Sequence, residues 1–242
     1  MKKRVKKLFP RFYRLLLHGY LRGRVSLAGA KFIPDAKAFL QRHYSRPGLS
    51  FIQLGSNDGK TNDPLYDMID RYQWKGVCIE PLPGNFTKLK NNHAPHLGVT
   101  CVNGLIDTKE GERLFYYFSI DTLEGRDISQ VGSLLESHLA KFSSISPDIK
   151  NYITSASFKC YTIENLFSML PVTKLDVLHS DLEGYDFQII SKIDFKKIKP
   201  SVMLFEHRHL ARKNYKILAD LLKANGYKLL RDTWDTIAYI SE

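Results

Sequence analysis

The chain of 242 residues reads as an α/β protein, a mostly parallel, doubly wound sheet that ends in an antiparallel C-terminal hairpin. Three observations predict this. From Pro34 onward, short β-branched runs alternate with helical periods in the order β, α, β, α, β. The strands read as continuous apolar runs, as in a parallel sheet covered by helices on both faces. A glycine-rich turn follows the first of them, where open α/β sheets hold their ligands.

The elements follow in order. "PDAKAFLQRHY" is a leading helix and "LSFIQL" the first strand, and "DPLYDMIDRYQ" is a helix with Leu65, Met68, Ile69 and Tyr72 on one face. "WKGVCIE" is the second strand, "PGNFTKLKNNH" a helix and "GVTCVNG" the third strand. "RLFYYFSI" reads as an added strand, and residues 121–157 are polar, Ser-rich and without a clear period, an irregular insertion expected to act as a lid. Regular structure resumes with the strand and short helix of "FKCYTIENLFSML", the strand "KLDVLHSD", the helix "GYDFQIISKI" and the strand "PSVMLFEH". The amphipathic helix "NYKILADLLKANGY" is closed by Gly226, and "YKLLRD" and "TIAYIS" flank the turn "DTWD" as a hairpin would.

A hydrophobic fraction of 43% suits one compact domain, taken as residues 34–242, preceded by a basic arm or amphipathic helix over residues 1–33. The formal charge is +11 and the pI about 9.4, which favours anionic partners. Met1 to Arg24 is crowded with Lys and Arg and has no acidic residue, so much of the excess sits at one end. There, cations mix with Leu8, Phe9, Phe12, Tyr13, Leu15, Leu16 and Tyr20, the pattern of a helix lying in a membrane surface. Peripheral membrane contact through residues 1–24 is therefore one expectation, a solvated or packed arm the other, and nucleic acid is disfavoured. No apolar run reaches a membrane span or a secretory core, so the sequence reading is cytoplasmic, with a possible place at the inner membrane face. Cys78, Cys101 and Cys160 lack metal or redox spacing and read as reduced core residues.

The turn "FIQLGSNDGKTND" asks for a ligand. Gly55 and Gly59 let the backbone bend sharply and approach one closely. The spacing lacks the G-x-x-x-x-G-K-[ST] of a phosphate loop and the full G-x-G-x-x-G of NAD enzymes. Asp58 adds negative charge, unhelpful to a pyrophosphate and acceptable to a cationic sulfonium, and Glu80 ends the second strand where an acid can accept from ribose hydroxyls. The signs favour S-adenosylmethionine over a dinucleotide.

"FIQLGSNDGKTND", "CIEPLPGNFTKLKNN", "LDVLHSDLEGYDFQII" and "PSVMLFEH" occur in an order and spacing that resembles the FkbM-type methyltransferases. The resemblance covers roughly residues 49–240, and "SDLEGYDFQII" is similar to the family's Ile-Asp-x-Glu-Gly-x-Glu signature. The chain departs from it at His179, Ser180 and Asp186. The resemblance implies a Rossmann-like methyltransferase fold and S-adenosylmethionine-dependent methylation, mostly of hydroxyl groups. It also implies that Gly55, Ser56, Asn57, Asp58 and Gly59 wrap the methionine part of the cofactor, that Glu80 holds the ribose and that Asn103 and Gly104 lie near the adenine. Asp181 would face the methyl-transfer site.

An alcohol needs help to lose its proton, and the candidates are Asp181, His179, Glu206, His207 and His209. In an extended "HSD", Asp181 and His179 share a face, although a histidine inside a strand can equally be a satisfied core residue. Asp181, Glu206 and His207 at neighbouring strand ends could instead hold Mg²⁺. Glu183 is expected to cap the following helix; contact of Ser133 with substrate or cofactor is the lesser alternative to a packing role for that residue. The acceptor is expected to be a sugar, glycan or other polyhydroxylated molecule, anionic or lipid-linked. The competing readings are a non-catalytic binding or assembly module on the same fold and an NAD-dependent oxidoreductase.

Overall fold

The computed structural model describes residues 30–241 except 34, 130, 135 and 145. The expected basic arm thus falls almost wholly outside the described residues. In chain order the elements are β1 (Lys31–Phe32), α1 (Ala36–Tyr44), β2 (Ser50–Leu54), α2 (Tyr66–Tyr72), β3 (Lys75–Glu80), α3 (Pro83–His93), β4 (Val99–Asn103), β5 (Leu105–Ile106) and β6 (Gly111–Phe118). There follow β7 (Thr122–Leu123), β8 (Arg126–Asp127), β9 (Gly132–Ser133), α4 (Glu136–Ala140), two 3₁₀ turns over Lys141–Ser144 and Pro147–Tyr152, β10 (Ile153–Tyr161) and α5 (Ile163–Ser168). The last are β11 (Val177–Ser180), α6 (Asp186–Ile190), β12 (Val202–Glu206), α7 (Arg212–Ala224), β13 (Lys228–Arg231) and β14 (Asp235–Tyr239).

Eight strands form the central sheet in the order β1-β13-β14-β12-β11-β2-β3-β4. All run parallel except β14, which pairs antiparallel with both β12 and β13. The expected hairpin is there. The chain builds outward from β2 through β3 to β4, then returns to place β11 and β12 on the other side of β2. Strand order reverses between β2 and β11, and a crevice opens at their carboxyl ends.

Alternation within each strand divides the core into two layers. Ile52, Leu54, Val77, Ile79, Leu178, Met203 and Phe205 pack on one face with Leu166, Ile190, Leu218 and Leu222 of α5, α6 and α7. Phe51, Cys78, Val177, Val202 and Leu204 pack on the other with Leu40, Leu65, Met68, Ile69 and Leu89 of α1, α2 and α3. Every one of these side chains is at most 2% exposed, and burial of each large apolar one contributes about 1.5–3 kcal/mol. This is the doubly wound α/β arrangement that the apolar strands predict.

Residues 121–157 differ from expectation. They are not irregular throughout: they hold β7, β8, β9, α4 and the first half of β10, which pairs antiparallel with β6 from Ile153↔Phe118 to Cys160↔Gly111. A second, four-stranded sheet β5-β10-β6-β9 results, with a small core of Phe118, Ile128, Leu139 and Ile149. The period is hidden because β10 packs little: Ser155, Ser157 and Lys159 are exposed and most of the rest of the strand is half-buried.

Candidate functional site

The cleft at the switch point is lined by Gly55, Asn57, Glu80, Gly104, Ser133 and Asp181, among others, with Ile79, Leu105, Ile106, Phe115 and Leu134 as apolar walls. The turn after β2 owes its course to Gly55. Its φ is +72°, and a Cβ there would stand 2.0 Å from the carbonyl oxygen of Asp181. The Asp181 N–H in turn donates to the Leu54 carbonyl at 3.0 Å, so the two strand ends meet without a side chain between them.

Glu80 is 5% exposed at the end of β3. Its Oε2 accepts from the Asn57 N–H at 2.9 Å and its Oε1 from the Leu82 N–H at 3.0 Å. Burial raises its pKa to about 7, against the lowering effect of those two N–H groups. Each oxygen keeps a lone pair for a further donor on a side chain that faces the cleft.

The other predicted cofactor residues divide into lining and supporting groups. Ser56 is turned inward, its N–H on Ile79 O at 3.0 Å and its hydroxyl on Gln53 O at 3.1 Å. Asp58 closes the turn on itself, accepting from the Lys60 and Thr61 N–H groups at 2.9 and 2.8 Å. At Gly59 a Cβ would meet Leu89 Cδ1 at 2.4 Å and His93 Nε2 at 2.7 Å, so this glycine serves the packing of α3. Asn103 clamps the bend after β3, its amide donating to Glu80 O and Pro81 O, both at 2.9 Å. Gly104 and Ser133 line the cleft.

Asp63 is a residue that sequence reasoning missed. It is 8% exposed; Oδ1 accepts from the N–H groups of Leu65 at 2.6 Å and Tyr66 at 2.7 Å, capping α2, and Oδ2 accepts from the Gln53 amide. Both ends of the turn are thereby joined. The signal was present in the Asp that precedes a helical period, a standard start signature.

His179 and Asp181 do not form one site. His179 lies in register with Gln53 and Leu204, is buried, and burial lowers its pKa against the pull of Asp63 and Asp181. It does not line the cleft. Ser180 donates to Asp186 at 2.5 Å, and the Leu182 N–H donates to the same carboxyl at 3.3 Å. The expected cap by Glu183 is not formed: α6 has no side-chain cap, and Glu183, at φ +52°, faces His209 instead. The turn around Gly184 folds onto His209, whose Cβ lies 3.2 Å from where a Gly184 Cβ would stand.

The histidines after β12 part company. His207 points into the sheet, with Nδ1 3.1 Å from Thr236 Oγ1 and its ring 5.4 Å from that of Tyr215. Burial, with Arg231 nearby, lowers its pKa to about 3, so it is neutral. With Nδ1 turned to Thr236, it does not converge with Asp181 and Glu206 on a shared cation. His209 Nε2 instead stands 3.4 Å from both Glu183 Oε2 and Glu206 Oε1, and these three residues form a group whose ligating atoms lie within 4.8 Å of one another. Glu206 Oε2 is buried without a hydrogen-bond partner among the described residues. Burial, then the charges of Asp181, Glu183, Asp186 and Asp235, raise the Glu206 pKa to about 9; burial and Asp181 raise that of Glu183 to about 7. The result is a weakly acidic pair bracketing an imidazole beside the cleft.

A sequence model described as the methyltransferase FkbM domain matches residues 53–229. No curated protein matches the chain. Among solved structures, the methyltransferase FkbM of Methylobacillus flagellatus KT is 12% identical with a TM-score of 0.50, over 86% of this chain and 48% of that one, so this chain spans about half its length. The fibrillarin pre-rRNA processing protein of Methanococcus jannaschii is 14% identical with a TM-score of 0.41, over 81% of this chain and 67% of that one. The fibrillarin of Aeropyrum pernix, with natively bound S-adenosyl-L-methionine, is 12% identical with a TM-score of 0.41, over 84% and 72%.

Proposed function

The chain belongs to the FkbM methyltransferase family, and from that premise we propose that it methylates a hydroxyl of a sugar, glycan or other polyhydroxylated acceptor with S-adenosylmethionine as donor. The observation that carries the cofactor is Glu80, a buried carboxyl at a strand end with both oxygens fixed by backbone N–H groups and still able to accept. The residues fit the group: Glu80 is placed to accept ribose hydroxyls, Gly55 lets the turn lie directly against the Asp181 backbone at the cleft wall, and Ile79, Leu105 and Phe115 offer an apolar slot for adenine. Asp181 adds negative charge on the side where a sulfonium would lie.

S-adenosylmethionine supplies an electrophilic methyl group. The chain's part is to hold the acceptor hydroxyl in line with it and to take the hydroxyl proton. His209 is the base in this reading: Glu206 and Glu183 hold the imidazole in place, and Glu183, the more acidic of the two, stabilises it once protonated. The acceptor side is supported by Trp234, 47% exposed and braced by the Arg208 guanidinium 3.7 Å from its ring centroid. An exposed aromatic ring near carboxylates suits the C–H face and hydroxyls of a sugar. No helix among the described residues is long and apolar enough to cross a membrane, and the three free cysteines favour a reducing, cytoplasmic setting.

The test is incubation of the full chain with methyl-labelled S-adenosylmethionine and a cell extract, followed by mass spectrometry. Label on an alcohol oxygen of a glycan or polyol is the expected result. Label on nitrogen or carbon would overturn the acceptor class, and failure to bind S-adenosylmethionine in calorimetry would overturn the reading as a whole.

A further inference from the structure

We propose that the amino edge of the central sheet, opposite the cleft, is a docking surface for an anionic lipid bilayer. Seven of the eight strands run the same way, so their starts gather on one edge and the cleft opens on the other. Lysines collect at those starts. Lys75 opens β3, Lys228 opens β13, Lys174 precedes β11, and Lys192, Lys196 and Lys199 lie in the connection from α6 to β12; all six are exposed. They are spatial neighbours of the adjoining turns: Lys75 Cγ is 2.8 Å from where a Gly98 Cβ would stand, and Lys199 Nζ is 4.0 Å from that of Gly226. The countercharge here is Asp176, 3.8 Å from Lys174, Asp194, 3.9 Å from Lys197, and Asp70, held by His96 at 3.0 Å, fewer acids than lysines.

Two further observations choose lipid over nucleic acid. Leu97, in the turn before β4, is 98% exposed, and Met169, in the connection to β11, is 40% exposed, so apolar side chains stand among the lysines. A phosphate backbone offers nothing to Leu97, whereas a bilayer offers both headgroup phosphates and an acyl boundary. In addition, β1 runs parallel to β13 with Lys31 beside Leu230, so the first described strand enters the sheet from the side of this edge. Docking there turns the cleft away from the bilayer by about one strand length, roughly 20 Å. The acceptor would then be met on the side away from the lipid.

This inference is independent of the chemistry proposed above. The full chain is sedimented with vesicles of phosphatidylcholine and of phosphatidylcholine with phosphatidylglycerol, beside a variant carrying Lys192→Gln, Lys196→Gln, Lys199→Gln and Lys228→Gln. Each lysine near an anionic surface is worth about fivefold in partitioning, so the variant should bind anionic vesicles at least a hundredfold more weakly, with its thermal midpoint and cofactor binding retained. In a second measurement Leu97→Trp should gain fluorescence quenched by brominated lipid, while Trp234, on the carboxyl edge, is not quenched. Unchanged binding of the lysine variant, quenching at Trp234 instead of position 97, or binding to duplex RNA but not to vesicles would each overturn the proposal.

Discussion

The backbone N–H of Asn57 donates to Glu80 Oε2 at 2.9 Å, which ties the turn after β2 to the acid that ends β3. One carboxyl thus shapes the cleft, and in the proposed function it is the group that accepts from the ribose. Glu80→Gln keeps the shape and removes the charge. It should weaken S-adenosylmethionine by about ten- to a hundredfold, the worth of hydrogen bonds to a charged group. Since burial raises the Glu80 pKa to about 7, wild-type affinity should tighten as pH rises through that value, and the variant should lose this dependence. Calorimetry at several pH values reads both.

Gly55→Ala should cost far more than an ordinary glycine substitution. The new Cβ would meet the Asp181 carbonyl oxygen at 2.0 Å, at a φ of +72° that side chains resist. Backbone lies on both sides of the contact, so no rotamer relieves it. We expect a loss of several kcal/mol, seen as a lowered thermal midpoint, together with loss of cofactor binding.

Asp63→Ala tests the hub beneath the turn. It removes two helix-capping bonds and the Gln53 contact at once. The expected loss is about 2–3 kcal/mol, with weaker cofactor binding because the turn is released. A variant with wild-type midpoint in chemical denaturation would sink this role.

The legible parts of the sequence were those where local pattern and tertiary role coincide. Apolar runs marked the central strands, and Pro83–His93 formed a helix over the residues its pattern covers. Glu80 and Gly55 were legible because a strand-end acid and a glycine turn have few other uses at those places. What stayed hidden depended on partners distant in sequence. Gly59 resembles a ligand-binding glycine until Leu89 and His93 are seen against it. His207 and His209 are two residues apart, yet one pairs with Thr236 inside the sheet and the other with Glu183 beside the cleft. The strand β10 was illegible because its exposed serines mask the period.

That separation of the histidines gives a sharp comparison. His207→Asn places a polar atom near Nδ1 and should retain most of the turnover. His209→Ala should lower kcat by about 10²–10⁴-fold, the usual contribution of a general base, with little effect on cofactor affinity. The reverse ranking would return the role to His207.

Glu206→Gln tests the electrostatics of the same site through stability. The Glu206 carboxyl is ordinary in the unfolded chain, near 4.5, and is raised to about 9 in the fold by burial and then by Asp181, Glu183, Asp186 and Asp235. Below pH 4.5 both states are protonated, so the residue costs nothing. As pH rises toward 9 the unfolded state ionises while the folded state keeps its proton, and the fold loses stability relative to a neutral side chain. The variant should therefore match the wild type in acid and gain on it as pH climbs, reaching a few kcal/mol on the alkaline side. Denaturant midpoints measured across that range decide the matter: a constant difference between the two proteins would mean that Glu206 is not held protonated.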